Sequence, residues 1–234
     1  MNSSKNSNNS PHSYGENYYD KPGSPSFQIA KIKANTLALS IKATINPSTS
    51  LDIGCGPGLL VYYLRQQGIA ANGIDISDYA FSISPVDTRE HLYKINIETE
   101  VLPFKDKSLD LVTAIEVLEH LDNPGHVIMD IRRILKPGGY LYITTPLPLI
   151  NSKFGQFILG RGWKPLDITH VNVHNRLFWE KLVERNGFTY IGAFSKVFYS
   201  VPSEFWLVKI LLKIPGGKTI RVWLTGTYLF QLKS

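Results

Sequence analysis

Between Ser50 and Leu60 the chain reads SLDIGCGPGLL, an apolar run carrying an acid at Asp52 and then glycines alternating at Gly54, Gly56 and Gly58. Glycine has no side chain to pack on a sheet and weakens a strand interior, so the stretch reads as a buried strand breaking into a tight loop ahead of a helix. Glycine also takes up positive φ without steric cost and lets a ligand approach the main chain. Three of them at the carboxyl end of a strand therefore predict a backbone-lined cofactor seat.

The flanking chain supports that seat with a repeating strand and helix rhythm. A helix at residues 27–45, with Ile29, Ile32, Leu37, Leu39 and Ile41 at roughly helical spacing, ends at Asn46-Pro47. After the glycine loop a helix at 59–67 stops at Gly68, and a strand at 70–76 ends in GIDIS. Asp75 stands twenty-one positions after Gly54, the separation at which an acid meets the two ribose hydroxyls of a bound nucleoside. A short helix at 78–83, strands at 91–95 and 109–115, a helix from Asn123-Pro124 to Leu135, a turn at 136–139 and a strand at 140–145 continue the pattern. The final third predicts a helix at 177–186 capped by Gly187, a strand at 188–199, an apolar helix at 203–214 and a last strand at 219–232. Short connections between alternating elements predict an α/β fold, a doubly wound and mostly parallel seven-stranded sheet with an antiparallel last strand and helices on both faces. Ligands in such sheets bind at the carboxyl ends of the strands.

At 234 residues the chain needs only one domain, assigned to 25–234, with loop insertions at 146–169 and 200–218. Residues 1–24 are rich in Asn, Ser, Pro and Gly and predict a disordered or loosely docked tail, in which Tyr14, Tyr18 and Tyr19 are the side chains able to fold back on the domain. No uncharged apolar run reaches the roughly 18 residues of a membrane span, and the N-terminus lacks the apolar core of a signal peptide, so a cytoplasmic location is expected. The single cysteine, Cys55, reads as a small residue in a tight turn. The net charge of +6 is biased to the C-terminus, where Lys209, Lys213, Lys218, Arg221 and Lys233 follow the last acid, Glu204. That bias suits an anionic surface or a solvated basic face.

The glycine loop alone is compatible with a dinucleotide site, but Leu59 stands where a dinucleotide fingerprint wants its third glycine. The ordered segments LDIGCGPG, GIDIS, LPFKDKSLDLV, AIEVLEHLDNP and ILKPGGYLYITTP resemble successive motifs of the class I S-adenosylmethionine-dependent methyltransferases, closest to the small-molecule type 11 or type 23 branch. The resemblance extends through HVNVHNRLFWEKLVERNGF and covers about residues 27–200.

It implies S-adenosyl-L-methionine as cofactor. Asp52 and the backbone at Gly54, Cys55, Gly56 and Gly58 are then expected to face the methionyl portion, Asp75 the ribose and Ile76 the adenine. Asn96 stands where the family usually has an acid for the adenine amino group, and its amide oxygen accepts that bond without charge assistance. Ile97 would flank the ring, and Ile115 would close the other side. For catalysis, His120 in EVLEHL and His170 in DITHVNVHN match family positions and are candidate bases for a hydroxyl acceptor. The spacing of His170 and His174, without an HExxH pattern, is poor evidence for a metal, and none is assigned.

No Asn/Asp-Pro-Pro-Tyr or Pro-Cys follows the fourth strand, which disfavours nucleic acid as the acceptor. Phe154, Phe157, Trp163, Phe205 and Trp206 are expected to line a pocket for a small apolar or aromatic molecule methylated on oxygen or carbon. The basic apolar segment 203–214 suits peripheral contact with a membrane, from which a quinone or lipid precursor could be collected. A non-catalytic adenosylmethionine-binding module is the alternative, motivated by Asn96.

Overall fold

The computed structural model describes residues 14–16, 18–146, 169–192 and 225–233. The insertions expected at 146–169 and 200–218, the helix at 203–214 and the acceptor aromatics lie outside them, apart from Pro146 and Thr169.

The chain opens with α1 (Pro25–Thr44), set by Pro25 in its first turn and by Ser24, whose hydroxyl accepts from the Phe27 N–H at 3.2 Å. Then come β1 (Thr49–Ile53), α2 (Leu59–Gln66), β2 (Ala70–Asp75), α3 (Asp78–Ser82), β3 (Leu92–Lys94), β4 (Leu109–Ile115), α4 (Pro124–Ile134), β5 (Leu135–Pro146), α5 (Arg176–Arg185), β6 (Phe188–Gly192) and β7 (Thr225–Leu232). One seven-stranded sheet results, in the order β3-β2-β1-β4-β5-β7-β6. Its first five strands pair in parallel and β7 runs antiparallel to both β5 and β6.

Two apolar layers hold helices to the faces. Leu37, Ala38 and Ile41 of α1 and Leu60, Val61 and Leu64 of α2 cover one side; Val127, Ile128 and Ile131 of α4 and Trp179 and Val183 of α5 cover the other. The helical face of α1 differs from the one the spacing suggested, since Ile29, Ile32 and Leu39 are exposed while Phe27, Leu37, Ala38 and Ile41 are buried. The expected turn at 136–139 is absorbed into β5 as an irregularity: Leu109 pairs with Leu135 and Leu111 with Tyr140, with Gly138 at φ +77° taking up the difference.

This order positions the site. From β1 the chain winds outward to β2 and β3, then crosses back to lay β4 on the opposite flank of β1. The connections leaving the carboxyl ends of β1 and β4 diverge at that reversal, and a crevice opens between them.

Candidate active site

A pocket of about 440 Å³ occupies the crevice. Its floor is the glycine loop. Gly54 and Gly56 lie at φ +63° and +51°, and a Cβ on Gly54 would sit 2.3 Å from Cγ2 of Val117, one on Gly56 3.2 Å from the Tyr19 ring. Only glycine lets the loop run this close to both neighbours. Cys55 between them is buried, and burial pushes its thiol well above the usual range, which makes it a packing group and a poor nucleophile.

The rest of the wall comes from the ends of neighbouring strands: Asp75 and Ile76 after β2, Asn96 and Ile97 after β3, and Ile115, Glu116, Val117 and His120 after β4. Asp75 is held from below, its Oδ2 accepting the Gly56 N–H at 2.8 Å and its Oδ1 the Ser77 N–H at 2.9 Å. Burial pushes its carboxyl up while the N–H groups of Ser77 and Gly56 hold it down. Asn96 is engaged locally, its side-chain oxygen accepting from the Glu98 N–H at 3.0 Å.

Two residues assigned to the cofactor by the motif lie off this wall. Asp52 is 4% exposed behind the loop, where its β4 register partner Thr113 donates to Oδ1 at 2.6 Å, and burial pushes its carboxyl up to about 7. Gly58 starts α2 on the far side, where a Cβ would meet Leu92 at 2.9 Å.

One feature escaped the motif reading. Glu116 projects from the end of β4 with φ +53°, a left-handed conformation that costs a non-glycine residue on the order of 1–3 kcal/mol. Its N–H donates to the Thr144 carbonyl at 3.0 Å and its Oε1 accepts from the Thr144 hydroxyl at 2.9 Å. Burial raises its pKa, opposed by the Thr144 hydroxyl and by Lys33 of α1. An acid directly after a buried strand was the available signal. The three tail tyrosines expected to fold back on the domain, Tyr14, Tyr18 and Tyr19, form an aromatic strap that lines the pocket. The Ser77 hydroxyl ties it down by donating to the Tyr14 carbonyl at 2.6 Å, and the Tyr19 hydroxyl reaches Asp75 Oδ1 at 3.5 Å.

His120 lines the pocket and His170 stands behind it, ring centroids 4.6 Å apart. The Thr169 hydroxyl lies 2.7 Å from His120 Nδ1. Glu119 and His120 share a single 3-10 turn, and the Glu119 carbonyl accepts the N–H groups of Val171 and Asn172 at 2.9 and 2.8 Å, which fastens the second segment to the first. His174 is drawn elsewhere, stacked on Phe178 at 3.7 Å.

A family profile described as a methyltransferase domain, type 23, matches residues 26–192, most of the chain and all of the described crevice apart from the strap. The chain belongs to the methyltransferase-domain family. Curated relatives of this methyltransferase domain include the ubiquinone biosynthesis O-methyltransferase of Coxiella burnetii (strain Dugway 5J108-111), 30% identical over 118 residues that make up 49% of each chain. The protein of the same name from Thiobacillus denitrificans is 33% identical over 103 residues, 41% of this chain and 43% of that one. The chain thus spans about half the length of the curated relatives it matches. Among solved structures, a SAM-dependent methyltransferase from Archaeoglobus fulgidus superposes with a TM-score of 0.58 at 18% identity, over 89% of this chain and 100% of that one, a likeness of fold. The family implies S-adenosylmethionine as the cofactor of the methyltransferase domain, and among the described residues no helix is long and apolar enough to cross a membrane.

Proposed function

We propose that the chain transfers the methyl group of S-adenosyl-L-methionine to a hydroxyl of a small apolar, aromatic acceptor. The observation that carries this reading is the Asp75 carboxylate at the pocket wall, braced by two backbone N–H groups beside a glycine loop that closely approaches its neighbours. A braced carboxylate is preorganised to accept both hydroxyls of a ribose. The volume falls in the range of about 300–1,000 Å³ that holds small-molecule ligands. The apolar side chains of Ile76 and Ile97 suit an adenine, with Asn96 at its edge.

When bound, the cofactor supplies a methyl group activated by a sulfonium. The chain's own residues do the positioning. The main chain at Gly54, Cys55 and Gly56 fits the methionyl end, Asp52 and Gly58 support that loop from behind, and Ile115 closes the far side. The Glu116 carboxylate adds a negative group to the wall beside a positively charged ligand, which stabilises its ionised form against burial. Holding acceptor and donor at near-attack distance contributes roughly 7–11 kcal/mol, and His120 on the pocket wall, with His170 packed behind it, is assigned to the acceptor side of the pocket. The ubiquinone biosynthesis O-methyltransferases among the relatives favour a quinone precursor as acceptor, and the basic segment 203–214 suits collection of such a molecule from a membrane surface.

Calorimetry with adenosylhomocysteine tests the cofactor reading. Replacing an ionised acceptor by a neutral one removes about 1.5–3 kcal/mol, so Asp75→Asn is expected to weaken binding about 10- to 100-fold. Unchanged affinity would remove the ribose assignment. Methyl-labelled cofactor incubated with lipid, small-metabolite, RNA and protein fractions identifies the acceptor: label is expected in the lipid or small-molecule fraction. Binding without label in any fraction would favour the non-catalytic module.

A further inference from the structure

Folding brings together a ligand set that spacing along the chain does not reveal. One ligand atom each from Glu119, His120 and His170 lies within 4.8 Å of the others. The sequence pairs His170 with His174, but the fold sends His174 onto Phe178 and supplies Glu119 instead. Glu119 is fully buried, and the two imidazoles are half-buried.

We propose that Glu119, His120 and His170 bind one divalent transition-metal ion, with Zn2+ the best fit, at the edge of the methyl-transfer pocket. Two imidazole nitrogens and one carboxylate are a donor set for Zn2+ that leaves a fourth position open. Bonds of about 2.0–2.2 Å in tetrahedral geometry place ligand atoms roughly 3.4 Å apart, so the three side chains need to close by about an ångström. The two segments are already fastened to each other through the Glu119 carbonyl, so the closure falls to the side chains.

Thr169 completes the arrangement. With its hydroxyl 2.7 Å from His120 Nδ1, it is placed to accept the Nδ1 proton, leaving the Nε2 lone pair for the metal. An outer partner of this kind fixes the tautomer of a ligating histidine. Charge points the same way. One carboxylate and two imidazoles on a divalent cation carry a net charge of about +1, which attracts an anionic oxygen to the open position.

His120 lines the pocket, so that open position serves an acceptor hydroxyl. This part rests on the proposed methyltransferase activity. Coordination releases the hydroxyl proton to solvent. The oxygen's electron pair then forms the bond to the methyl carbon as the carbon–sulfur bond breaks, with its electrons remaining on sulfur.

The test is metal binding, read without turnover. The full chain, stripped with a chelator and dialysed, is titrated with Zn2+ by calorimetry and with Co2+ by visible absorption. One equivalent is expected, with Co2+ ligand-field bands of a low-symmetry site. Glu119→Gln and His170→Ala are each expected to weaken binding by about 100-fold or more, Thr169→Val by about 10- to 100-fold, and the exposed His126→Ala not at all. Adenosylhomocysteine affinity and circular dichroism on the same samples establish that each variant is folded, and His170→Ala, at a half-buried position, serves if Glu119→Gln does not fold. No binding by the folded parent, or binding that survives both ligand substitutions, overturns the metal site. Adenosylhomocysteine bound without metal would overturn it alone, whereas metal bound without adenosylhomocysteine would count against the cofactor reading and leave the metal site standing.

Discussion

Gly54 carries two constraints at once. Its φ of +63° costs an L-residue roughly 1–2 kcal/mol, and its missing Cβ leaves the space that Cγ2 of Val117 would contest at 2.3 Å. Gly54→Ala is therefore expected to lower stability by more than about 2 kcal/mol. Val117→Ala in the same chain should recover the steric part and leave the backbone part, a non-additivity read by urea denaturation of the two single variants and the double one. Strict additivity would show that the contact is not the cause. Gly54 was legible in the sequence because a positive φ and a close approach both select glycine. Glu116 was signalled only as an acid at a strand end; its partner Thr144 lies 28 positions away, and the segment EVLEHL does not specify a carboxyl folded back on β5.

Among the elements, the strap of tyrosines has the most direct influence on ligand exchange. Tyr14, Tyr18 and Tyr19 pack edge to face at 4.8 and 5.1 Å, and Tyr19 stacks beside Tyr79 at 6.3 Å. A cover of this kind slows escape more than entry. Tyr19→Ala is expected to raise the dissociation rate of adenosylhomocysteine about tenfold, equivalent to about 1.4 kcal/mol, with a smaller change in association, as stopped-flow fluorescence would record. An unchanged dissociation rate would mean the strap does not retain the ligand. Strands and capped helices were readable from local signals, apolar runs for β1 and β4 and Asn123-Pro124 for the start of α4, while the Ser24-Pro25 start of α1 lies two residues ahead of the Phe27 that the spacing suggested. The exposed face of α1 and the joining of residues 136–139 to β5 were not, because partner surfaces decide them and a single chain segment does not specify its partner.

At the scale of the molecule, the acids behind and beside the crevice set a pH dependence. Burial raises the Asp52 carboxyl from an ordinary 3.8 to about 7, and Glu116 moves in the same direction. Over that interval the folded chain holds protons that the unfolded chain has released, so their contribution to stability is full below about pH 4 and is lost as pH rises through about 7. Between about pH 5 and pH 8 the ligand-free parent is expected to lose more stability than Asp52→Asn, whose side chain still accepts from Thr113, by an amount on the order of a few kcal/mol. Thermal melts at the two pH values measure it, and parallel curves would contradict the assignment. The sheet order and the crevice followed from the alternation of elements. The meeting of Glu119 with His170 did not, since it depends on hydrogen bonds between segments about fifty residues apart.

Cys55 gives the protein a native clock. The chain's one thiol lies beneath the glycine loop, its sulfur 2.7 Å from where a Cβ of Gly73 would stand. An alkylating reagent can reach it only when the loop lifts away from β2, so the labelling rate counts those openings without any engineered probe. A ligand resting on Gly54 and Gly56 holds the lid of that clock shut, and occupancy of the pocket becomes legible as silence of the thiol.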